Sequence, residues 1–288
     1  MNNGSDRDAS PGERFGLQGR TFVVTAGGSG IGRACARQIA RAGGRVGIVD
    51  VDGAAARATE EEIRSLGARA VSCIADVRDR AALTAAVARI ESELGPLGGA
   101  VAAAGISIPE PAASLARASW DAVLGVGLTG CFLTCQIVGR RLIASGTGGS
   151  IVAISSTDSI GAHAGRAAYC AAKFGVVGIV RTLAIEWGRH GIRVNAVAPG
   201  ITDTPAVQRG LPAEQVDAVL VDRTPLGRIG APDDMGNVAA FLLSDSAAYV
   251  TGQNLGVDGG ISAGYITRWR GADLASSRLL ERGIYKSV

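Results

Sequence analysis

Thr21-Phe22-Val23-Val24-Thr25-Ala26-Gly27-Gly28-Ser29-Gly30-Ile31-Gly32 runs from a short β-branched, apolar stretch through a glycine-rich turn into a helical pattern. That helix reads from Ile31 to Ala42, with Arg33, Arg37 and Arg41 spaced four apart on its wet face. Gly28, Ser29, Gly30, Ile31 and Gly32 therefore sit where a strand hands over to a helix N-terminus. Glycines there let the backbone approach a pyrophosphate and aim its N–H groups and the helix dipole at it. The same turn also serves plain strand-to-helix connections, so its surroundings decide between the two.

Outward from this turn, strand patterns recur at Arg45 to Asp50, Ala70 to Asp76, Ala100 to Ala104, Ile151 to Ser155, Arg193 to Ala198 and Leu255 to Asp258. Helical patterns lie between them, including Ala81 to Leu94, Trp120 to Leu142, Ala168 to Trp187 and Asp234 to Leu243. Apolar strands without a polar residue at every second position are covered on both faces, which implies a mostly parallel sheet. The expected fold is α/β, a doubly wound Rossmann fold with seven strands, and ligands belong beyond the carboxyl ends of those strands.

With 288 residues, of which 47% are hydrophobic, and no long Pro- or Ser-rich linker, the chain is expected to build one domain over residues 17–265. A polar N-terminal tail over 1–16 and an extension over 266–288 flank it. The formal net charge is +3, and the extension accounts for all of it: Arg268, Arg270, Arg278, Arg282 and Lys286 stand against Asp273 and Glu281. A neutral body gives no pull toward nucleic acid or an anionic membrane. No apolar run approaches the roughly 18 residues of a membrane span, and the tail lacks the apolar stretch of a signal peptide. Five cysteines, without a Cys-x-x-Cys pair, suggest neither a disulfide framework nor a zinc site. A reduced, cytoplasmic setting is the expectation, with Cys131 and Cys135 as buried small hydrophobes.

Asp50 ends the second strand twenty residues after Gly30, where a carboxylate can accept hydrogen bonds from the adenosine ribose and repel a 2′-phosphate. No basic residue between Thr25 and Ile31 offsets it, so NAD is expected rather than NADP. Asp76 and Val77, after the third strand, are candidates for the adenine, the carboxylate toward its amino group and the valine on its ring.

Tyr169 and Lys173 lie four apart on one helix face. A free phenol ionises near pH 10, so proton transfer at neutral pH calls for about 4 kcal/mol of preferential phenolate stabilisation. A neighbouring ammonium and a positive nicotinamide both act in that direction. Ser156, just past the fifth strand, can hydrogen-bond the same substrate oxygen, so that phenol and hydroxyl hold one carbonyl between them. Singly, Ser156 could cap a turn, Tyr169 line a rim and Lys173 sit in water; their joint placement points to chemistry.

Together these motifs resemble the short-chain dehydrogenase/reductase family, in its form of about 250 residues. The likeness runs from about Leu17 to Tyr265 and adds Asn195 to Gly200 and Val257-Asp258-Gly259-Gly260. It implies hydride transfer between a small alcohol or ketone and the nicotinamide, with Tyr169 as acid and base, Lys173 also holding the nicotinamide ribose and Ser156 orienting substrate. It implies further cofactor contacts from Ala102 and Gly105, and from Pro199, Gly200, Thr202 and Thr204 at the nicotinamide end. Members usually form homotetramers or homodimers through the helices that here span Trp120 to Leu142 and Ala168 to Trp187.

Three positions depart from the family pattern. Ala26 stands where the turn normally begins with glycine, tolerable if its φ stays negative. Ala102-Ala103-Ala104-Gly105 replaces Asn-Asn-Ala-Gly, losing amides that tie neighbouring strands. Gly127 occupies the place of the family's catalytic asparagine. Asp203 to Gly230 corresponds to the family's substrate lid; Ala206, Val207, Leu211, Val216, Val219 and Leu220 suit an apolar, medium-sized substrate, and Arg209 or Arg223 could meet a carboxylate. In the extension, Trp269, Leu274, Leu279, Leu280, Ile284 and Tyr285 suggest packing, against the alternative of a solvated tail. Two other functions stay open: an NAD-binding regulator or scaffold with weak turnover, and a dehydrogenase of sugar-like or acidic alcohols.

Overall fold

The computed structural model describes residues 16–210, 221 and 223–264, and the backbone of 268–269 and 272–273. Seven strands, β1 (Thr21–Thr25), β2 (Arg45–Asp50), β3 (Ala70–Ile74), β4 (Leu97–Ala102), β5 (Gly149–Ile154), β6 (Ile192–Pro199) and β7 (Asn254–Val257), form one sheet in the order β3-β2-β1-β4-β5-β6-β7. Every pairing is parallel, so the sheet is wholly rather than mostly parallel. The chain order reverses between β1 and β4, which opens a crevice at their carboxyl ends.

Successive strand residues point to opposite faces, and the two apolar layers follow that alternation. Val23, Ala100 and Ile151 belong to one core, with Leu83 and Ile90 of α3 (Arg80–Leu94), Val138 of α5 (Gly130–Ser145) and Val180 of α6 (Ala167–Trp187). Phe22, Val24, Ile48 and Val152 belong to the other, with Ile39 of α1 (Gly30–Arg41), Ile63 of α2 (Gly53–Ser65) and Leu242 of α8 (Pro232–Leu243). Asp52 caps α2 by accepting from the N–H groups of Ala54 and Ala55, and Asp79 caps α3 in the same way.

The segment read as one helix from Trp120 to Leu142 is divided. It comprises α4 (Arg117–Leu124), a π turn over Gly125–Thr129 and α5, joined end to end. The expectation that no stretch approaches a membrane span also needs correction: Arg117–Ser145 and Ala167–His190 are long and apolar enough by length and composition. Both lie along the sheet, and their apolar residues supply much of the first core, which is why a core helix passes the same test.

The lid is described in part: α7 (Pro205–Gly210) and the stretch after Arg223 are present, whereas Leu211, Val216, Val219 and Leu220 lie outside the described residues. So do Leu274, Leu279, Leu280, Ile284 and Tyr285 of the extension, and the N-terminal tail up to residue 15. Of the extension, Arg268–Trp269 and Ala272–Asp273 pair as a short antiparallel ribbon, β8 and β9.

Candidate active site

The glycine turn after β1 is built by close approach. A β-carbon on Gly32 would run into the carbonyl oxygen of Ala26, so only glycine lets α1 start directly against the end of β1. Gly30 has φ +52°, and the Thr204 methyl lies over it, 3.4 Å from where a β-carbon would stand. Ser29 is the extended residue preceding α1, and its side chain makes no capping bond. The first amides of α1 thus remain for a ligand.

Ala26 corrects the expectation that its methyl is accommodated at negative φ. Its φ is +50°, and it is the one non-glycine residue with positive φ among the described residues. The left-handed region crowds a β-carbon against the following carbonyl. Ala26→Gly is therefore expected to stabilise the fold by about 1 kcal/mol, read as a higher denaturation midpoint at an unchanged m-value.

The missing amides of Ala102 and Ala103 are replaced from β1. The Thr25 hydroxyl, fully buried, accepts from Ala103 N–H at 3.2 Å and points at Val101 C=O at 3.5 Å. Thr25→Val leaves the Ala103 N–H unpaired in the interior and is expected to cost about 1–3 kcal/mol, whereas Thr25→Ser should retain most of the stability; chemical denaturation of the three forms separates these outcomes.

Asp50 lies at the end of β2, its Oδ2 accepting from Gly28 N–H at 2.9 Å and its Oδ1 from Asp52 N–H at 3.0 Å. A carboxylate has about four acceptor positions, so it fixes the glycine turn and still has capacity for ribose hydroxyls. These features fit a dinucleotide. Asp76 is gripped by Arg78, whose guanidinium makes contacts of 2.6–3.0 Å to both carboxylate oxygens. Those bonds hold the Asp76 carboxyl below the usual range. Val77 turns inward, 6% exposed, where it packs on Gly130 of α5, so its side chain serves the interior.

At the other side of the crevice, Gly200 N–H donates to Val257 C=O at 3.1 Å just beyond Pro199, and Gly200 lies tight against Asp258. Asp258 staples its own loop by accepting from Gly260 N–H and Ser262 N–H. Thr202 is buried and donates to Gly200 C=O, while Thr204 caps the start of α7 by accepting from Val207 N–H.

Three catalytic candidates converge where β5 feeds α6. Lys173 is buried and donates to Ile154 C=O at 2.7 Å, two residues before Ser156. Its Nζ stands 5.5 Å from the centre of the half-buried Tyr169 ring. Ser156 Oγ accepts from Asp158 N–H at 3.1 Å, so its own proton is free to be donated elsewhere. Behind it, Ser159 Oγ donates to Ser156 C=O, Asn254 Nδ2 donates to Ser159 Oγ, and Ser155 Oγ donates to Asn254 Oδ1. This network fixes the backbone that presents Ser156. Gly105 borders the lysine, its absent β-carbon 3.4 Å from Nζ.

Gly127 falls inside the π turn, buried, with space for a β-carbon 3.5 Å from that of Ala172, the residue before Lys173. The position faces α6 but brings no side-chain amide to it. Cys131 and Cys135 lie buried in α5, and the hydrogen bond between them together with burial pushes the Cys135 thiol up.

A cluster that spacing did not suggest lies beside Ser156. Asp158 is buried and meets His163 through Oδ1, with Arg166 Nη1 3.9 Å from Oδ2. The Arg166 guanidinium lies 5.6 Å above the Tyr169 ring, on which Lys173 also bears.

A family model described as enoyl-(acyl carrier protein) reductase matches residues 25–262. The chain is 42% identical over 248 residues to the cis-4-hydroxycyclohexanecarboxylate dehydrogenase of Sinomonas cyclohexanicum, covering 85% of this chain and 97% of that one. It is 39% identical over 248 residues to the D-threitol dehydrogenase of Mycolicibacterium smegmatis, covering 85% and 94%. A gluconate 5-dehydrogenase from Burkholderia cenocepacia, solved in complex with NADP and tartrate, superposes with a TM-score of 0.84 at 33% identity over 89% of this chain and all of that one. Fold and relatives define an oxidoreductase that works with a nicotinamide cofactor. The chain belongs to the short-chain dehydrogenase/reductase family.

Proposed function

We propose that the protein oxidises a secondary alcohol, or reduces the matching ketone, with NAD, using Tyr169 as general acid and base, Lys173 as its charged neighbour and Ser156 to orient the substrate oxygen. The observation that carries this reading is the anchoring of Lys173: its bond to Ile154 C=O fixes the ammonium 5.5 Å from the Tyr169 ring, at the strand end that continues into Ser156. Bound nicotinamide would give or take the hydride. The protein handles the proton. In reduction the Tyr169 hydroxyl donates it to the substrate oxygen; in oxidation the phenolate removes it, and the Lys173 ammonium offsets the negative charge on the phenol oxygen. Ser156, already accepting from Asp158 N–H, donates to the same oxygen.

Asp50 supports NAD over NADP, because a 2′-phosphate would stand beside a carboxylate that two backbone N–H groups hold in place. That solved neighbour binds NADP, so the preference is a property we assign to this chain's own Asp50. The relatives named for threitol and for a hydroxycyclohexanecarboxylate support small alcohol substrates, sugar-like or acidic ones included. Gly127, with no side-chain amide to offer, supports a second reading as an NAD-binding regulator or scaffold with weak turnover.

A homotetramer or homodimer is part of the proposal, supported by Phe174 and Ile185, exposed on α6. A single domain over 17–265 and a reduced, cytoplasmic setting complete it; five unpaired, buried cysteines support the latter. The test is an NADH fluorescence titration beside a panel of secondary alcohols and ketones, wild type against Tyr169→Phe. Binding with turnover that depends on Tyr169 supports the enzyme; binding without turnover on the panel turns the reading toward the regulator, and absence of binding removes the cofactor assignment.

A further inference from the structure

We propose that Arg166 is a specificity-determining residue that receives a carboxylate on the substrate, a few bonds from the carbon that changes oxidation state, with Asp158 and His163 holding it in place. The inference rests on the reading of Tyr169 as the group that meets the reacting oxygen, and it names the substrate class of that same site.

Arg166 occupies a position where an arginine is electrostatically misplaced. It is the N-cap residue of the 21-residue α6, its side chain makes no capping bond, and the first turn carries no acidic residue. The N-terminus of a helix is its positive end and favours Ser, Thr, Asp or Asn at the cap. A cation there works against the local preference, as residues retained for a site commonly do.

Asp158 keeps it in place without consuming it. The carboxylate is 4% exposed and so requires a cationic or hydrogen-bonded partner. His163 meets Oδ1 closely, whereas Arg166 stays 3.9 Å from Oδ2, beyond hydrogen-bond distance. The Arg166 side chain makes no hydrogen bond among the described residues, and it is 35% exposed. The guanidinium fork is thus oriented by a loose ion pair and by its cation–π approach to the Tyr169 ring, with its side-chain donors unspent.

The charges around the ring point the same way. Arg166, Lys173 and the start of α6 are positive; Asp158 is the one carboxylate of the cluster, and it is shared with His163. A planar fork with free donors beside the proton-transfer group is matched by the two oxygens of a carboxylate.

The test reads binding rather than turnover. The full chain, with and without NADH, is titrated calorimetrically with benzoate and hexanoate and with their carboxamides, none of which has a hydroxyl to oxidise. The acids are expected to bind about tenfold or more tightly than the amides. That ratio should fall to near unity in Arg166→Gln, persist in part in Arg166→Lys, and survive in Tyr169→Phe, which keeps the ring. Equal affinity of acid and amide for the wild type, no binding of either, or a ratio untouched by Arg166→Gln would overturn the proposal. An alcohol panel on which Tyr169→Phe remains fully active would instead sink the catalytic reading and leave the binding result standing by itself.

Discussion

Tyr169→Phe is expected to lower kcat/KM by about a thousandfold on any alcohol the wild type oxidises, while NADH affinity stays within about a factor of ten. The substitution removes one oxygen and leaves the ring, so the cation–π approach of Arg166 and the α6 backbone should persist. What is lost is the phenol proton that the geometry places beside Lys173, and Ser156 is a hydroxyl with no base hydrogen-bonded to it among the described residues. Ser156 and the bound cofactor can still orient and polarise substrate, which is why a residual rate is expected rather than none. Steady-state kinetics of both forms, with melting curves to establish folding, decide the matter. A variant within a few-fold of wild type would remove Tyr169 from the mechanism.

The second large effect concerns the cofactor. Asp50→Ala should reduce the preference for NADH over NADPH by about a hundredfold. Two opposite unit charges 4 Å apart interact by about 4 kcal/mol at an effective dielectric of 20, and like charges repel as strongly. Partial exposure of the site trims that to about 3 kcal/mol, or a hundredfold. NADH should also weaken, since the ribose loses an acceptor and Gly28 N–H loses the bond that fixes the turn. Paired titrations of both cofactors with both proteins separate the effects. A wild type that binds NADPH as well as NADH would sink the assignment of NAD, leaving the dehydrogenase reading intact.

The strand-turn-helix at Thr21 to Gly32 and the Tyr169 to Lys173 pair were legible because each follows from local spacing: a strand must end, a turn must be free of side chains, and four residues return a helix to the same face. Strand ends shifted by one to three residues, as at β4, which starts at Leu97 rather than Ala100. The helix α2 is hidden in the sequence because Gly53-Ala54-Ala55-Ala56 and the Glu60-Glu61-Glu62 run blur its apolar stripe; Asp52, as a cap, is the available signal. The π turn is also hidden, since five residues of unusual winding have no composition of their own.

Within the site, the limits have the same origin. Thr25 reads as an ordinary strand residue, and only the pairing of β1 with β4 shows that its hydroxyl replaces lost amides. Asp158, in a 3-10 turn, His163, in the loop after it, and Arg166, at the cap of α6, share no regular spacing, and they meet because the chain folds back between β5 and α6. Ala26 gives no sign of its positive φ, which the closeness of α1 to β1 imposes.

The π turn between α4 and α5 has a consequence for how length varies in this part of the chain. One extra residue in a turn rotates everything after it by about 100°, so the inward stripe of α4 and that of α5 are phased independently. Each half can keep its own register against the sheet or α6 while the joint between them absorbs a single inserted or deleted residue. Gly125, Gly127 and Gly130 sit in or beside that joint, the place in the rod where side chains restrain the backbone least. When the chain is aligned with a relative whose corresponding helix winds regularly throughout, the residue packed on Ala172, next to Lys173, is therefore to be identified by its position in space, since counting along the sequence drifts by one at this joint.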